Sequence, residues 1–370
     1  MRLVIEKRKS VSQTAKILVP ILSFVFSLLF GAVLLVISGA NPLHTYVAML
    51  DGAFGGTRSL TETLLKAVPL MLTGLGVSIA FRMLFWNIGA EGQFVFGGVA
   101  AAYVALFIAP HLPSWGVLPL TILIGALAGA IWGAIPAVLR AYLDVNETIT
   151  TLMMNYVAIL WASHLFTGPW RDPEGYGFPG SAPFPPEARL PYLFGRVHIG
   201  IIFAVVAAVV LWFVLKRTKW GFEIRVTGEN PKAARYIGIN IHRNIVLVML
   251  VSGGLCGLAG ATEATGLVHR LQRGIIAGYG YTAIIVAWLS ELNPLAILMV
   301  AFFLAALITG GDQIQLAMGL PAAMASVLQG ALLFPMLGGA LFVDYRLRLV
   351  REHEDKSEAG SSARTEEPEA

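Results

Sequence analysis

Long apolar runs separated by short polar segments dominate the chain. A helix that crosses about 30 Å of hydrocarbon needs roughly 20 mainly apolar residues, because backbone groups in lipid must satisfy one another. The pattern predicts an all-α polytopic membrane protein with about ten transmembrane helices, near 17–38, 61–81, 93–109, 116–139, 147–167, 198–215, 244–267, 277–291, 294–310 and 320–342. The third, eighth and ninth are short and flanked by glycine or proline, so we expect some broken or re-entrant segments.

The composition is typical of a protein whose surface faces lipid. Apolar residues make up 56% of the chain and charged residues 13%, whereas a typical soluble domain has about 25% charged residues. With a mean hydropathy of +0.73, there is too little polar material to cover a soluble core of this size. We therefore expect a multi-pass protein of the cell inner (cytoplasmic) membrane, with the lipid bilayer as its main solvent.

Lysine and arginine are distributed unevenly between the predicted loops. Seventeen lie on the side of the N-terminus and six on the opposite side, so the positive-inside rule predicts cytoplasmic N- and C-termini. We expect a cytoplasmic N-terminal segment (1–16), a transmembrane domain (17–345) and a disordered cytoplasmic tail (346–370). The proline-rich loop 168–197 is expected outside the cell, and the basic loop 216–243 is expected inside.

Glycines at four-residue spacing mark two of the predicted helices. Gly125, Gly129 and Gly133 share one face of the fourth span, and Gly253 and Gly257 share one face of the seventh. Such faces let helix backbones approach closely in a membrane, where no hydrophobic drive between helices exists. We expect them to pack helices within one bundle.

Polar residues interrupt the apolar pattern at 87–93. A charge at membrane depth is costly, so Asn87, Glu91 and Gln93 are poorly suited to an unbroken helix that faces lipid. One interpretation is a helix break that lines a solute path, with these three side chains supplying hydrogen bonds. The other is a short cytoplasmic turn after Arg82, with Glu91 solvated or paired with that arginine. The residues alone leave both interpretations open.

A second polar segment begins the fifth predicted span. Asn146 is expected to cap this helix, and Glu147 favours its positive end. Thr150, Thr151 and Asn155 follow at positions from which they can reach inward, and Asn155 lies deepest in the span. In contrast, we expect Glu263, near the outer end of the seventh span, to meet water.

The segment 228–239 has the start and stop residues of a short amphipathic helix. Asn230 is expected as the N-cap, Pro231 as the first helical residue, and Gly238 near the end. A helix of this kind in a cytoplasmic loop has no core of its own to bury. It either lies on lipid headgroups or inserts into a groove of another protein, and its well-defined ends favour a docking element.

The sequence lacks the residues that several kinds of protein chemistry require. The sequence has no Gly-Lys-Ser/Thr phosphate loop, no His/Cys cluster and no evident nucleophile–base set, so we expect no enzymatic activity, no metal and no cofactor. Basic residues are not interleaved with aromatics, which gives no support for nucleic-acid binding. An ion-coupled secondary transporter that uses Glu91 and Glu263 is the main alternative function; a membrane enzyme or a channel has less support.

Three segments resemble the permeases of the ribose/branched-chain amino acid class of ATP-binding-cassette (ABC) importers. Residues 87–93 resemble the Asn-Ile-Gly-x-Glu-Gly-Gln motif of the nucleoside or "simple sugar" branch. Residues 145–156 resemble its Asn-Glu-x-Ile-x-Thr-Leu-Met-x-Asn-Tyr stretch, and residues 228–239 its Gly-x-Asn-Pro-x-Ala-Ala-Arg-Tyr loop. The similarity runs from about residue 60 to residue 340.

The resemblance implies a permease subunit that forms the translocation path for a small uncharged polar solute, by analogy a nucleoside. It implies three protein partners: a cytoplasmic ABC ATPase that hydrolyses ATP, a second permease that is homologous but not identical, and an extracytoplasmic solute-binding protein. The expected residues beside the path are Asn87, Glu91, Gln93, Thr150 and Asn155. The expected ATPase-coupling residues are Asn230, Pro231, Ala234, Arg235, Tyr236 and Gly238.

Overall fold

The computed structural model describes residues 2–7, 13–319 and 322–350, and most of them are helical. The α-helices are α1 (Gln13–Ile37), α2 (Pro42–Phe54), α3 (Thr57–Phe81), α4 (Ala90–Tyr103), α5 (Ser114–Leu143), α6 (Glu147–Thr167), α7 (Gly200–Arg217), α8 (Lys219–Glu229), α9 (Pro231–Tyr236), α10 (Ile241–Glu263), α11 (Tyr279–Leu289), α12 (Pro294–Met318) and α13 (Ala322–Asp344). π-Helical turns continue α4 and α10, at Val104–Ile108 and Ala264–Val268. Short 3-10 turns lie at Ala109–His111, Pro186–Ala188 and Arg273–Ile275.

Four short strands complete the described structure: β1 (Arg2–Lys7), β2 (Tyr192–Phe194), β3 (Val197–His198) and β4 (Tyr345–Val350). The chain divides into a larger unit, His44–Ala325, and a smaller one formed by Met1–Leu43 with Ser326–Ala370. In the smaller unit, β1 and β4 pair antiparallel, with Arg2 opposite Val350 and Lys7 opposite Tyr345.

The pairing of β1 with β4 was not predicted from the sequence. Residues 346–350, which we expected to be disordered, form most of β4. Arginine alternates with leucine there, which is the period of a strand. The rest of the predicted tail, 351–370, lies outside the described residues.

The all-α polytopic fold is confirmed. Within the described residues, seven helical segments are long and apolar enough to cross a membrane, or eight if the successive α1 and α2 are counted as one broken span. The seven are Thr57–Phe81, Ala90–His111, Ser114–Leu143, Glu147–Thr167, Gly200–Arg217, Ile241–Val268 and Pro294–Gln315.

One of the expected short segments is present, and two other segments differ from the prediction. The helix α11 has 11 residues, too few to cross the hydrocarbon, which agrees with the expected short segment. By contrast, α12 has 25 residues, so its expected shortness is wrong. The helix continues through Gly310, and α2 packs against it there: a Cβ added at Gly310 would lie 2.6 Å from the Met49 carbonyl oxygen. The sequence did not predict α2, whose polar residues His44 and Asp51 weaken the apolar pattern.

The glycine faces of α5 and α10 serve helix packing within the bundle, as predicted, and the structure shows that they pack against each other. A Cβ added at Gly129 would lie 2.4 Å from the Gly253 carbonyl oxygen, and one at Gly257 would lie 2.5 Å from the Gly125 carbonyl oxygen. A side chain at either position would therefore force the two backbones apart. The centre of the larger unit is α3, which is buried along most of its length and contacts α7, α10, α11 and α12.

Candidate functional site

The helical structure is interrupted between α3 and α4, where residues 82–89 form no regular helix. We call this segment the helix break, or the break. Leu84 adopts a left-handed backbone with φ of +56°, a conformation that few residues other than glycine adopt. The predicted helix break is therefore present, and it begins before Asn87. Asn87 lies in the break, while Glu91 and Gln93 lie in the first turn of α4. All three side chains are at most 1% exposed.

Asn87 uses both of its side-chain atoms within the protein. Its Nδ2 donates to Gln93 Oε1 at 3.1 Å and to Ser252 Oγ at 3.0 Å. Its Oδ1 accepts from Gln93 Nε2 at 3.0 Å and from the Gly89 backbone N–H at 3.1 Å. The Gly89 donor fixes the orientation of the Asn87 amide, because only the oxygen can accept there. Ser252 in turn donates to the Gly76 carbonyl oxygen at 2.6 Å, so this network joins the break to α3, α4 and α10.

Glu91 binds the first turn of α11. Its Oε1 accepts from the Gly278 N–H at 2.9 Å, and its Oε2 accepts from the Gly280 N–H at 2.7 Å. These are amides at a helix N-terminus, where a negative charge is favourable and intrahelical acceptors are lacking. The backbones are in close contact, since a Cβ added at Gly280 would lie 2.1 Å from the Glu91 nitrogen.

The part of the alternative that has Glu91 solvated or paired with Arg82 is therefore wrong. Glu91 is buried and binds α11, not water or Arg82. The Arg82 guanidinium instead donates to the Leu292 carbonyl oxygen, through Nη2 at 2.8 Å and Nε at 3.2 Å. The turn that separates α11 from α12 supplies this carbonyl, so Arg82 ties the beginning of the break to that turn.

Asn155 on α6 reaches the same place from the other side. Its Oδ1 accepts from the Gly92 N–H at 2.8 Å, and its Nδ2 donates to the Ile88 carbonyl oxygen at 2.8 Å. A longer contact of 3.3 Å joins Nδ2 to the Tyr281 hydroxyl. Asn155 thus binds the break, α4 and α11 together. We call Asn87, Glu91, Gln93, Asn155 and Ser252 the polar junction.

The polar junction brings together four of the five residues predicted beside a path. The fifth, Thr150, is half-buried on the first turn of α6 and donates to the Asn146 carbonyl oxygen of its own helix. Thr151 lies nearer the break: it is buried, and its hydroxyl lies 3.4 Å from the Trp86 carbonyl oxygen. The predicted N-cap is confirmed, since Asn146 Oδ1 accepts from the Ile149 N–H at 3.2 Å.

Three residues that take part in these contacts were not predicted from the sequence: Ser252, Gly278 and Gly280. Ser252 lies in an apolar helix, where a single serine carries little information. Gly278 and Gly280 contribute backbone N–H groups, which side-chain patterns do not reveal. The one feature of the sequence that could have indicated a close backbone contact here is the glycine pair. In the structure, a Cβ at Gly280 would clash with the Glu91 backbone.

Glu263 does not meet water, contrary to the expectation from the sequence. Its side chain is 3% exposed, and in the described part of the chain its Oε2 has no hydrogen-bond partner. It does not meet water because the proline-rich loop 168–197 covers the end of α10. The Phe184 N–H donates to the His269 carbonyl oxygen at 2.8 Å, and the Leu190 N–H donates to the Thr265 carbonyl oxygen at 3.1 Å.

The short helix predicted near residue 230 is present as α9. Asn230 Oδ1 accepts from the Lys232 and Ala233 N–H groups, each at 3.1 Å, and Pro231 is the first helical residue. Gly238 follows the helix with φ of +81°, a left-handed backbone that glycine adopts without strain.

The two faces of α9 differ sharply. Ala234 is fully buried, whereas Arg235 is exposed and Tyr236 is 92% exposed. An exposed tyrosine beside an arginine is characteristic of a protein-binding surface, where these two residue types are enriched.

The preceding helix, α8, touches the break directly. A Cβ added at Gly228 would lie 1.9 Å from the Arg82 carbonyl oxygen, so the backbones of α8 and the break are in van der Waals contact. On the other side of α8, Asn244 Nδ2 donates to Glu223 Oε2 at 3.0 Å. The pair α8–α9 is therefore packed onto both the break and α10.

A protein-family comparison matches residues 59–337 to the family described as branched-chain amino acid transport system / permease component. The chain belongs to this permease family. The match includes the whole polar junction and the α8–α9 pair.

The permease is similar along most of its length to three curated relatives. It is 36% identical over 340 residues to the glucose ABC transporter permease protein TsgB13 of Haloferax volcanii, covering 89% of each chain. It is 33% identical over 323 residues to the guanosine ABC transporter permease protein NupP of Bacillus subtilis, covering 86% of this chain and 92% of the relative. It is 31% identical over 337 residues to the nucleoside ABC transporter permease protein NupB of Lactococcus lactis, covering 87% and 91%.

These similarities make the permease a membrane-embedded transport subunit of an ABC transporter, with ATP hydrolysed by a partner protein. They also imply a second permease, since Bacillus subtilis and Lactococcus lactis each have a second, more distant matching permease, at 28% and 29% identity. None of these similarities supports the ion-coupled alternative.

Proposed function

We propose that this permease imports nucleosides across the cytoplasmic membrane, together with a homologous but non-identical permease. A cytoplasmic ATPase powers the cycle, and an extracytoplasmic solute-binding protein delivers the solute. The observation that carries the coupling part of the proposal is structural: the exposed face of α9, which includes Arg235 and Tyr236, is joined through Gly228 of α8 to the helix break. A movement that the ATPase imposes on α9 is therefore transmitted through α8 to the polar junction over a short distance.

The proposed ATPase contact is the exposed face of α9. Asn230, Pro231 and Gly238 define where the helix begins and ends, and Ala234 seats it on the rest of the permease. Arg235 and Tyr236 are left to contact the ATPase. Because α9 buries little of its own surface, a partner that covers Tyr236 supplies the apolar contact that the helix lacks.

The proposed solute path runs beside the polar junction. In this conformation the side chains of Asn87, Glu91, Gln93 and Asn155 are hydrogen-bonded to the protein, so they position the ends of α4 and α11. Opening the path toward either side of the membrane exchanges some of these bonds for bonds to the solute. Thr150 lies in the first turn of α6, and its hydroxyl contributes a hydrogen-bonding group at the entrance of the path.

Nucleosides are the proposed solutes because two of the relatives are named for guanosine and nucleosides. A nucleoside is uncharged and rich in hydrogen-bonding groups, which suits a path beside the amides of Asn87, Gln93 and Asn155 and the carboxylate of Glu91. The relative named for glucose supports a second candidate, a sugar.

Coupling is tested by replacing Tyr236 or Arg235 with alanine in the assembled transporter. We expect each variant to insert in the membrane normally, to lose solute-stimulated ATP hydrolysis and to retain less ATPase during purification. The control is Lys232→Ala, an exposed residue on the same helix. Normal uptake by both variants, or uptake that persists without any ATPase, would remove the proposal.

The path and its solute are tested in membrane vesicles that contain the complete transporter. Uptake of labelled guanosine, competed with unlabelled nucleosides or glucose, identifies the solute class, and competition by glucose alone would reassign it to sugars. We expect Asn87→Ala and Glu91→Ala to lower uptake more than the exposed control Asp51→Ala. If all three variants took up solute at nearly the normal rate, the polar junction would not lie beside the path.

A further inference from the structure

A basic cavity opens beside the break, at the end of α3 that faces α8. Its volume is about 490 Å³, and Arg82, Lys216 and Arg225 line it. Burial and, secondarily, the charge of Arg225 lower the pKa of Arg82. In the part of the chain that the structure describes, none of these three side chains forms an ion pair with a carboxylate. Three cations that share a cavity without a neutralising partner favour an anionic ligand.

The first turn of α12 adds to this positive potential. Asn293 and Pro294, at the beginning of that helix, line the same cavity. The N-terminus of a helix carries partial positive charge on its free amides. The cavity also has an acidic residue, Glu291, but its side chain lies in an exposed turn. The basic residues therefore outnumber it, and the cavity keeps a net positive charge.

Apart from Ser290, the rest of the lining is apolar, and it continues the exposed apolar surface of α7. Trp212 and Leu215 line the cavity, and Lys216 Nζ lies 5.2 Å from the centre of the Trp212 ring. Above them, Val205, Val209 and other apolar residues of α7 are exposed, as expected for a helix that faces acyl chains. A ligand that enters along α7 therefore meets apolar surface first and the three cations at the end.

We propose that this cavity binds the phosphodiester headgroup of an anionic phospholipid. The headgroup phosphate lies among Arg82, Lys216 and Arg225, and the acyl chains follow the apolar face of α7. The predicted orientation of the chain assigns this lipid to the cytoplasmic leaflet, where basic cavities between membrane helices bind such headgroups. A bound headgroup also contacts Arg82, at the point where α8 meets the break, so it stabilises the contact on which coupling depends.

The test measures binding of short-chain phosphatidylglycerol to the full-length permease, purified in a non-ionic detergent. Matched short-chain phosphatidylcholine and inorganic phosphate are the comparison ligands, and thermal stabilisation is the readout. We expect phosphatidylglycerol to stabilise the protein at concentrations at which the other two do not. Equal stabilisation by phosphatidylcholine would overturn the proposal, and so would a phosphate effect as large as that of the lipid, which would assign the cavity to a free anion.

Charge variants locate the site. Lys216→Gln removes a cation that makes no backbone hydrogen bond, and we expect about fivefold weaker phosphatidylglycerol binding. The double variant Lys216→Gln, Arg225→Gln should bind more weakly still. The control is Arg217→Gln, because Arg217 is adjacent, exposed and outside the cavity.

Two results would contradict the assignment to these residues. One is an equal loss of lipid affinity in Arg217→Gln, which would indicate a general charge effect. The other is a Lys216→Gln permease that retains less ATPase while its lipid affinity is unchanged, which would assign the cavity to a protein partner. A comparison of the lipid-free melting temperatures of the variants separates loss of binding from loss of folding.

Discussion

The side-chain amides of Asn87 and Gln93 are hydrogen-bonded to each other in both directions, at 3.1 and 3.0 Å. The pair spans the end of the break and the first turn of α4, and it is fully enclosed by protein. An aspartate at position 87 has no N–H groups to give to Gln93 and Ser252, and it brings an uncompensated charge. We expect Asn87→Asp to lower the free energy of unfolding by about 2–4 kcal/mol.

Thermal or denaturant unfolding of the purified permease measures this cost. The matched control is Asn146→Asp, the same chemical change at the exposed N-cap of α6, where aspartate caps as well as asparagine does. Equal stabilities of the two variants would show that the amide pair contributes little.

The carboxylate of Glu91 gives a second prediction, about local opening of α11. Its two oxygens accept one N–H each, from Gly278 and Gly280, and a glutamine offers one oxygen for both. We expect Glu91→Gln to speed hydrogen–deuterium exchange of residues 278–282 by about tenfold, which corresponds to about 1.4 kcal/mol.

Peptide-level mass spectrometry follows this exchange. The exposed Glu187 in the proline-rich loop is the site of the control, Glu187→Gln, which should leave exchange at 278–282 unchanged. If Glu91→Gln also left it unchanged, the carboxylate would not be what holds the beginning of α11.

The contact between Gly228 and Arg82 gives a third prediction. A methyl group at 228 would lie 1.9 Å from the Arg82 carbonyl oxygen, so α8 must move away from the break, at a cost of about 1–3 kcal/mol. We expect Gly228→Ala to reduce ATP-driven uptake by about tenfold while the ATPase stays bound. Gly116→Ala is the control, because a Cβ there meets nothing closer than 3.8 Å. Uptake at the normal rate in Gly228→Ala would show that this contact transmits no force.

The buried His198 gives a fourth prediction, about pH. Its Nδ1 accepts from the Gly200 N–H at 3.1 Å, and burial, with a smaller effect of His269, lowers its pKa from 6.5 to about 4. The unfolded chain therefore binds a proton more readily than the folded one does. The contribution to stability is fully present above pH 6.5, and about 3 kcal/mol is lost as the pH falls from 6.5 to 4.

His198→Asn isolates this effect, because the asparagine oxygen can still accept from Gly200 while nothing titrates. We expect the difference in melting temperature between pH 7.5 and pH 5 to become smaller in His198→Asn. The exposed residue His111 provides the control, His111→Asn. An undiminished pH dependence in His198→Asn would trace the acid sensitivity to other groups.

Local features of the site were predictable from the sequence. Asn230 and Pro231 start the helix that follows them, and Asn146 caps the helix that follows it. Each of these residues acts on backbone groups only a few positions away in the sequence, so its role can be predicted locally. Polar residues in an apolar run likewise indicated a helix break near Asn87 as one of two interpretations. These predictions needed no knowledge of which helices are neighbours.

Contacts between distant segments could not be predicted in the same way. The Gly280 amide that binds Glu91 lies 189 residues further along the chain, and Ser252 resembles any other small residue of a membrane helix. Burial of Glu263 depends on a loop that folds back over α10. The helix α2 was missed because a span read from hydropathy needs an unbroken apolar run, whereas α2 carries polar residues and packs on α12.

The glycine seam between α5 and α10 limits how the permease moves. Where Gly129 faces Gly253 and Gly257, the two backbones are in close contact and leave no room for a Cβ on either helix. We expect these two helices to move together through the transport cycle. We expect the rearrangements that open the permease to one side and then the other to occur at its remaining interfaces, where larger side chains can repack.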